Sequence, residues 1–399
     1  MKDYNNTKSN KLIIYLLALG ATVVGTAESI ITGILDMLAS DINVSIGLAG
    51  QLVTVYSIAY AVGTPILIAI TSKVDRKKLL LAALCIFVIG NIIAVLSPNY
   101  ALLMISRAVL GVSAGVFAVV ALGVAAQMAP PEKRGSAIGT VLMGTSLSLV
   151  IGLPLGTMIG EYMGWRWIFA MLGVITVITT VPIAKAVPKL PGQEAIPLSK
   201  QLVVLKEFKV ISGLLTSLFF ITGYSVVSTY LAPLLRENAG LNSNTISLVL
   251  LGMGLMAVVG SRVGGHGADK WGIARTLIAS LLLHVIALFF LPIVAVTFTG
   301  ALFILALWML GAWTTAPAQQ FNLVNMAPQS TDIILSLNSS AFHLGVALGA
   351  VLGGVVVEQL SLSSIGWVGG LIVLLATVFA VISIALKNKQ NVAEQFKSV

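Results

Sequence analysis

The chain has 399 residues, of which 58% are hydrophobic and 9% are charged, and its formal net charge at pH 7 is +9. A soluble domain carries about 25% charged residues, so this composition excludes an ordinary soluble protein and indicates a chain that crosses a membrane many times. The basic residues fall in short loops between apolar runs, which argues against a nucleic-acid surface and is typical of cytoplasmic loops.

The first apolar run, from Lys11 to Asp41, contains one acid in its interior, Glu28. A charged side chain at the centre of a bilayer costs roughly 2.5–3.5 kcal/mol, so an acid retained there is a functional candidate. Glu28 stands 17 residues after Lys11, ~25 Å along a helix. Burial favours the protonated form of a carboxyl group. We therefore predict that Glu28 carries a proton; the alternative is a permanently paired structural acid.

Two further charged residues belong with Glu28 in this hypothesis. Asp36 follows it by eight residues and is either a second proton carrier or a solvated residue at the outer end of the helix. Arg107 is the only cation deep in an apolar run, and it lies eight residues from Asn99, ~12 Å from the outer edge. A guanidinium there would reach Glu28 and favour its charged form. The alternative is an ion pair that only holds helices together.

Hydropathy predicts an all-α membrane protein of twelve spans. The predicted spans are 12–38, 48–72, 77–97, 100–127, 135–159, 165–185, 208–235, 243–265, 274–296, 298–325, 332–358 and 364–387. A proline-containing linker, 186–207, separates six spans in residues 1–185 from six in 208–387, and 388–399 form a tail. The first run is too long for a signal peptide, so we expect it to remain as a span.

The lysines and arginines collect on one side of these spans, and only Arg166 and Arg236 fall on the other. This asymmetry predicts that both termini are cytoplasmic in a multi-pass protein of the cell (inner or cytoplasmic) membrane. Cys85 is the only cysteine, so no intrachain disulfide is possible, and we expect it to be a small core residue. The sequence has no phosphate-binding loop and no metal-ligand spacing, so we expect no cofactor, no metal and no enzyme activity.

The two halves of the chain carry related loops, Ile70–Leu80 and Gly264–Leu277, at an offset of 197 residues. The second loop resembles the signature loop of the major facilitator superfamily, roughly G-x-L-A-D-R-x-G-R-[KR]. The matching residues are Gly265, Ala268, Asp269, Lys270, Gly272 and Arg275. In the first loop Ser72 replaces the acid of the signature and Asp75 replaces its glycine, followed by Arg76. A plain positively charged loop is the alternative for this first copy.

Two spans carry further resemblances to that superfamily. The segment Ser106–Gly115 resembles its R-x-x-x-G signature, which assigns the arginine to Arg107. In the fifth span Gly152, Pro154 and Gly156 resemble the antiporter signature G-P-x-x-G-G, although Leu153 separates the first glycine from the proline. The start of the first span and the eleventh span are similar to the drug:proton antiporter branch, which includes arabinose, chloramphenicol and purine exporters.

This resemblance implies a monomer of two six-helix bundles around a central cavity that opens alternately to either side. It also implies proton-coupled export of small hydrophobic or amphipathic compounds. Two alternatives are an exporter of one metabolite, such as a sugar, purine or amino acid derivative, and a proton-driven importer. Polar and aromatic residues in spans seven, ten and eleven are candidates for the substrate cavity, or for helix–helix hydrogen bonds. They are Tyr224, Thr229, Tyr230, Trp313, Gln319, Gln320, Asn338 and His343.

Glycines recur every four residues in the fifth and eleventh spans. The first series is Gly152, Gly156, Gly160 and Gly164, and the second is Gly345, Gly349 and Gly353. Such stripes let two helices approach closely in a membrane. We also expect Pro154 to bend the fifth span.

Overall fold

A computed structural model describes residues 7–130, 134–192, 207–326 and 331–397. Within these ranges the chain is helical, with twelve stretches long and apolar enough to cross a membrane. The all-α fold class with twelve spans is therefore confirmed.

The first six spans form from eight helices. They are α1 (Thr7–Asp41), α2 (Ile46–Ile58) with α3 (Thr64–Ile70), α4 (Arg76–Leu96), α5 (Tyr100–Met128), α6 (Arg134–Leu147) with α7 (Leu153–Met163), and α8 (Trp165–Ala186). The remaining helices are α9 (Phe208–Ser228), the short α10 (Leu231–Ala239), α11 (Ser243–Lys270), α12 (Ile273–Val294), α13 (Phe298–Met326), α14 (Thr331–Gln359) and α15 (Ser364–Lys397). Helix α15 continues through 388–397, where the sequence suggested only a tail.

The chain divides into two compact units. Unit 1 comprises Met1–Ala195 with Ser243–Leu251, and unit 2 comprises Ile196–Asn242 with Gly252–Val399. The start of α11 thus groups with unit 1 and the rest of that helix with unit 2. Most of the predicted linker, 186–207, lies outside the described residues.

The same helix pairings occur inside each unit. In unit 1, α1 packs on α6 and α8, and α4 packs on α5 and α8. In unit 2, α9 packs on α14 and α15, and α12 packs on α13 and α15. The two halves of the sequence therefore fold as structural repeats, as the related loops indicated.

Three helical interruptions occur in unit 1. π-Helical turns at Ala59–Gly63 and Ser148–Gly152 precede α3 and α7, which contain Pro65 and Pro154 in their first turns. A proline cannot donate the regular helical hydrogen bond, and its ring clashes with the preceding turn. The third interruption is a kink in α1 at Ile34, with φ −123° and ψ 15°. The kink lies in the span that carries Glu28, and the two π-turns lie in the second and fifth spans, which pack on it.

Three local expectations were wrong. Cys85 is exposed on α4 and does not belong to the core. Gly164 has φ +91° in the turn between α7 and α8, so it is a turn residue and not the fourth member of a packing stripe. The seventh span ends at Ser228, because Thr229 and Tyr230 form a turn before α10.

Candidate functional site

Arg107 lies on α5 in the interior of unit 1, with no exposed surface. Its Nη1 donates to the carbonyl of Ala27 at 2.7 Å, its Nε to that of Leu52 at 3.3 Å, and its Nη2 to that of Glu28 at 3.4 Å. The guanidinium also stands over the ring of Tyr56, 4.4 Å from the ring centroid. Carbonyl dipoles and an aromatic face therefore stabilise this buried charge.

The glycine of the arginine signature explains how α5 reaches this position. A Cβ atom at Gly111 would collide with the main-chain carbonyl of Tyr56, so only glycine lets α5 approach α2 so closely. One turn later, a Cβ atom at Gly115 would likewise collide with the hydroxyl of Thr64. The close contact brings Arg107 within reach of both α1 and α2.

Glu28 projects from α1 beside this arginine and is only half-buried, unlike Ala27 and Arg107, which have no exposed surface. The charges of Glu28 and Arg107 interact. Tyr56 and Tyr60 lie within electrostatic range of the same carboxyl group, and their ring centroids are 6.5 Å apart. The structure therefore brings together the half-buried Glu28 and Tyr60 and the buried Arg107 and Tyr56 in unit 1.

The residues of the antiporter signature pack on α1 on either side of Glu28. A Cβ atom at Gly152 would collide with the hydroxyl of Thr26, and one at Gly156 would collide with Ile30. Pro154 lies between them in the first turn of α7. The wide turn that precedes this proline and the helix that carries the acid are thus in direct contact.

Asp36 is half-buried on α1, beyond the kink at Ile34, so it does not continue the straight helical face of Glu28. The nearby end of α1 is fixed by a different acid. Asp41 accepts hydrogen bonds from the indole of Trp165 at 2.9 Å and from Arg166 at 2.6 Å. These contacts hold the end of α1 on the start of α8.

The loop residues have local structural roles in this conformation. Asp75 caps α4, since its Oδ1 accepts from the main-chain N–H of Lys78 at 3.0 Å, and the N–H of Arg76 donates to the carbonyl of Leu190 at 2.8 Å. Gly272, the counterpart of Asp75 in the second loop, has φ +87°. The two copies of the loop therefore start their next helices differently. The other predicted loop residues are Ser72, in the turn before α4, and the exposed Asp269 and Lys270, in the last turn of α11.

Several cavity candidates of unit 2 are engaged in contacts between helices. Gln319 is buried and its Nε2 donates to the carbonyl of Gly213 at 2.6 Å and to the hydroxyl of Ser217 at 3.1 Å. Tyr230 is fully buried and donates to the carbonyl of Ala350 at 2.7 Å. Thr229 is also buried, with its hydroxyl 3.3 Å from that of Ser225.

The second glycine stripe lies in this same region. Cβ atoms at Gly345, Gly349 and Gly353 would approach α9 or the turn after it, within 3 Å of the carbonyl of Leu218, the carbonyl of Thr222 and the ring of Tyr230 respectively. These glycines therefore let α14 lie against α9. The hydroxyl of Tyr230 reaches Ala350 across that close contact.

Tyr224 and Trp313 are half-buried, and the indole of Trp313 lies beside the hydroxyl of Tyr224. Asn338 is half-buried, His343 is buried, and Gln320 is exposed. The partly accessible members of the predicted set are therefore two aromatic rings and two amides.

Sequence reasoning missed Tyr56 and Tyr60, and it missed the hydrogen bond between Trp308 and His284 in unit 2. A tyrosine in an apolar run has the same hydropathy whether it packs or faces an acid. The proline after each π-turn was the available signal that Tyr60 lies in a widened turn. Within the part of the chain that the structure describes, no three His, Cys, Asp or Glu side chains are placed to hold a metal ion.

Comparisons with known proteins agree with this architecture. The family model described as Major Facilitator Superfamily matches residues 17–332. The chain is 42% identical over 382 residues to the uncharacterized MFS-type transporter YbcL of Bacillus subtilis (strain 168), covering 96% of this chain and 98% of that protein. It is 32% identical over 376 residues to the uncharacterized MFS-type transporter YtbD of the same organism, covering 93% and 95%.

Two solved structures share the fold at low sequence identity. A D-xylose–proton symporter is similar with a TM-score of 0.78 and 17% identity, over 92% of this chain and 96% of that one. A bacterial homolog of the human lysosomal transporter Spinster, in an inward-facing and unoccupied conformation, is similar with a TM-score of 0.75 and 16% identity over 96% of both chains. These two likenesses show the fold alone.

Proposed function

The chain belongs to the Major Facilitator Superfamily of membrane transporters, and we propose that it is a proton-coupled antiporter that exports small hydrophobic or amphipathic compounds. A proton entering on Glu28, with Asp36 as a second carrier, drives a substrate outward. Proton and substrate favour different states of one protein that exposes its site alternately to the two sides of the membrane.

One observation carries this proposal: Glu28 is half-buried beside an arginine that is wholly buried and held by main-chain carbonyls. Removing the partner of a buried charge normally costs about 3–5 kcal/mol. Here Arg107 retains its carbonyl partners whether or not Glu28 is protonated. The acid can therefore gain and lose a proton without leaving the guanidinium unsolvated, which a simple structural ion pair does not allow.

The packing around α1 supports a moving role for this helix. Gly152 and Gly156 contact it on both sides of Glu28, and the turn before Pro154 is π-helical. π-Turns inside α-helices are frequently found at functional sites. These residues are the ones that resemble the antiporter signature, so they favour export over proton-driven import.

The polar groups of unit 2 support a broad substrate range over a single metabolite. A site that recognises one metabolite needs hydrogen-bonding groups aimed at the ligand. The amide of Gln319 is already hydrogen-bonded to Gly213 and Ser217, and the amide of Asn322 donates to Gln319 at 3.4 Å. The aromatic rings of Tyr224 and Trp313 are partly accessible and suit apolar surface.

From the basic loops we infer that both termini are cytoplasmic and that the twelve spans lie in the cell membrane. We expect a single chain to be the transporting unit.

Dye efflux from a host that lacks its own pumps tests the proposal. We expect cells producing the protein to expel a hydrophobic dye, and to stop when a protonophore collapses the proton gradient. Glu28→Gln is isosteric but cannot release a proton, so it should reduce efflux to that of cells without the protein. Glu237→Gln, at an exposed position on α10, is the matched control and should retain efflux.

Full efflux by Glu28→Gln at wild-type protein levels in the membrane would contradict the role of the acid. Efflux that persists after the gradient is collapsed would contradict proton coupling altogether. If only one metabolite among many tested compounds is expelled, the specific-exporter alternative holds instead.

A further inference from the structure

A buried histidine–tryptophan pair lies in the interior of unit 2. The indole N–H of Trp308 donates to Nε2 of His284 at 2.8 Å, and neither side chain has exposed surface. Because Nε2 accepts this bond, the neutral ring of His284 carries its proton on Nδ1. That Nδ1 has no hydrogen-bond partner among the described residues. A buried polar atom without a partner is costly, so the pair is not explained as optimal packing.

The pair supports two further aromatic residues that are closer to the surface of the unit. The ring of Tyr224 lies 5.0 Å from that of Trp308, with 33° between their planes, and 6.4 Å from that of His284. The indole of Trp313 lies beside the hydroxyl of Tyr224. Phe220 closes the other side of His284, with its ring edge-on at 5.7 Å.

Exposure changes along this series of rings. His284 and Trp308 are fully buried, whereas Tyr224 and Trp313 are half-buried. Tyr224 lies against both buried rings, and Trp313 lies beside the hydroxyl of Tyr224. Two aromatic rings that are partly accessible and supported from behind are a surface on which another flat ring can stack.

We propose that Tyr224 and Trp313 form a platform that stacks the planar aromatic part of the transported compound, and that His284 and Trp308 are positioning residues for this platform. This inference rests on the proposed function and specifies its substrate class. The ligands are planar aromatic compounds, as distinct from aliphatic amphiphiles of the same charge.

The chemistry of the platform favours flat rings over charge. The side-chain contacts that the structure describes for its two rings are with aromatic and histidine side chains, and none is with a carboxylate. Stacking of aromatic rings depends on shape and ring electronics and therefore tolerates many ring systems. Recognition here would be broad within planar compounds and weak outside that class.

The test is equilibrium dialysis of the full chain, purified in lipid nanodiscs, against two probes of equal charge. Ethidium is planar, and dodecyltrimethylammonium has no ring. We expect the wild type to bind ethidium more tightly. Tyr224→Leu and Trp313→Leu should each weaken ethidium binding by about 2–10-fold, as loss of an aromatic pair predicts, and leave the aliphatic probe unchanged.

The positioning role has its own variants. His284→Leu removes the acceptor of the Trp308 N–H and should weaken ethidium binding, whereas His284→Gln retains an acceptor and should restore it. Trp271→Leu is the matched control, since Trp271 also contacts a histidine ring, that of His266, but is exposed near the end of α11. Unchanged binding of the aliphatic probe shows that each variant is folded.

Three results would overturn the inference. They are equal affinity of the wild type for both probes, parallel loss of both probes in the platform variants, and unchanged ethidium binding in those variants. Dialysis uses no proton gradient, so its outcome is separate from that of the efflux experiment. Ethidium binding without proton-dependent efflux would refute the proposed function, and efflux without preference for the planar probe would refute the platform.

Discussion

The interiors of the two units differ in their chemistry although their helices pair alike. Unit 1 encloses Arg107, a permanent charge, and sets the half-buried Glu28 beside it. Unit 2 is held together by hydroxyls, amides and histidine rings, which are the buried polar side chains that the structure describes there. One repeat thus retains charge in its interior and the other retains neutral hydrogen bonds.

In the proposed function, this difference corresponds to a division of tasks between the two repeats. A charged side chain in an apolar interior is costly, so its retention points to a function, here the gain and loss of a proton by Glu28. Neutral hydrogen bonds and aromatic rings give a defined shape at lower cost. In the proposed function, unit 1 responds to protons and unit 2 to the shape of the substrate.

The largest expected effect tests the charged interior. Arg107→Met should destabilise unit 1 by about 3–5 kcal/mol, because Glu28 loses its neighbouring charge and the hydrogen bonds to the carbonyls of Ala27 and Leu52 disappear. Thermal unfolding in detergent measures this. Arg107→Lys retains the positive charge but not the forked geometry of the guanidinium, so its stability should lie between that of the wild type and that of Arg107→Met. A methionine variant as stable as the wild type would remove the basis of the comparison.

A smaller effect is expected in the neutral interior of unit 2. Gln319→Leu removes the buried hydrogen bond to the carbonyl of Gly213 and should cost about 0.5–1.5 kcal/mol in the same assay. Gln320→Leu, one residue further and exposed, should change stability by less than about 0.5 kcal/mol. If Gln320→Leu instead changes which dyes are expelled, it belongs to the substrate contacts. Equal losses of stability in Gln319→Leu and Gln320→Leu would show that the buried hydrogen bonds of Gln319 do not stabilise unit 2.

The smallest effect concerns the loop copy in unit 1. Asp75→Ala removes the cap of α4 and should cost about 1 kcal/mol, whereas Asp75→Asn keeps a capping oxygen and should be nearly neutral. Measuring efflux separates a capping role of Asp75 from a gating role. If the negative charge of Asp75 is needed for gating, efflux falls in Asp75→Asn although stability does not. Normal efflux by that variant would leave Asp75 as a cap alone.

Hydropathy predicted the twelve spans, although the seventh was drawn too long, because a helix satisfies all of its backbone hydrogen bonds in a long apolar run. The sequence also singled out Glu28, Arg107, Gly152 and Gly156, which lie together in unit 1, and their functional roles stay predictions. Each of these residues is either charged or a glycine, and both properties can be read directly from a sequence.

The rest of the site could not be predicted for physical reasons. Whether an amide such as Gln319 faces a ligand or a neighbouring helix depends on rotation about the helix axis, which an almost uniformly apolar run does not define. The same holds for Tyr60, whose orientation is set by a π-turn. The pairing of Trp308 with His284 joins residues on two helices, and no local pattern reports it.

The π-turn at Ala59–Gly63 also determines where the length of the second span can change. This turn holds one residue more than a regular α-helical turn, so deleting one residue there would restore ordinary winding and leave the helix beyond it facing the same way. Thr64 would keep its place against Gly115, whose missing side chain accommodates it. A single deletion in the regular winding of α2 would instead rotate everything beyond it by about 100°.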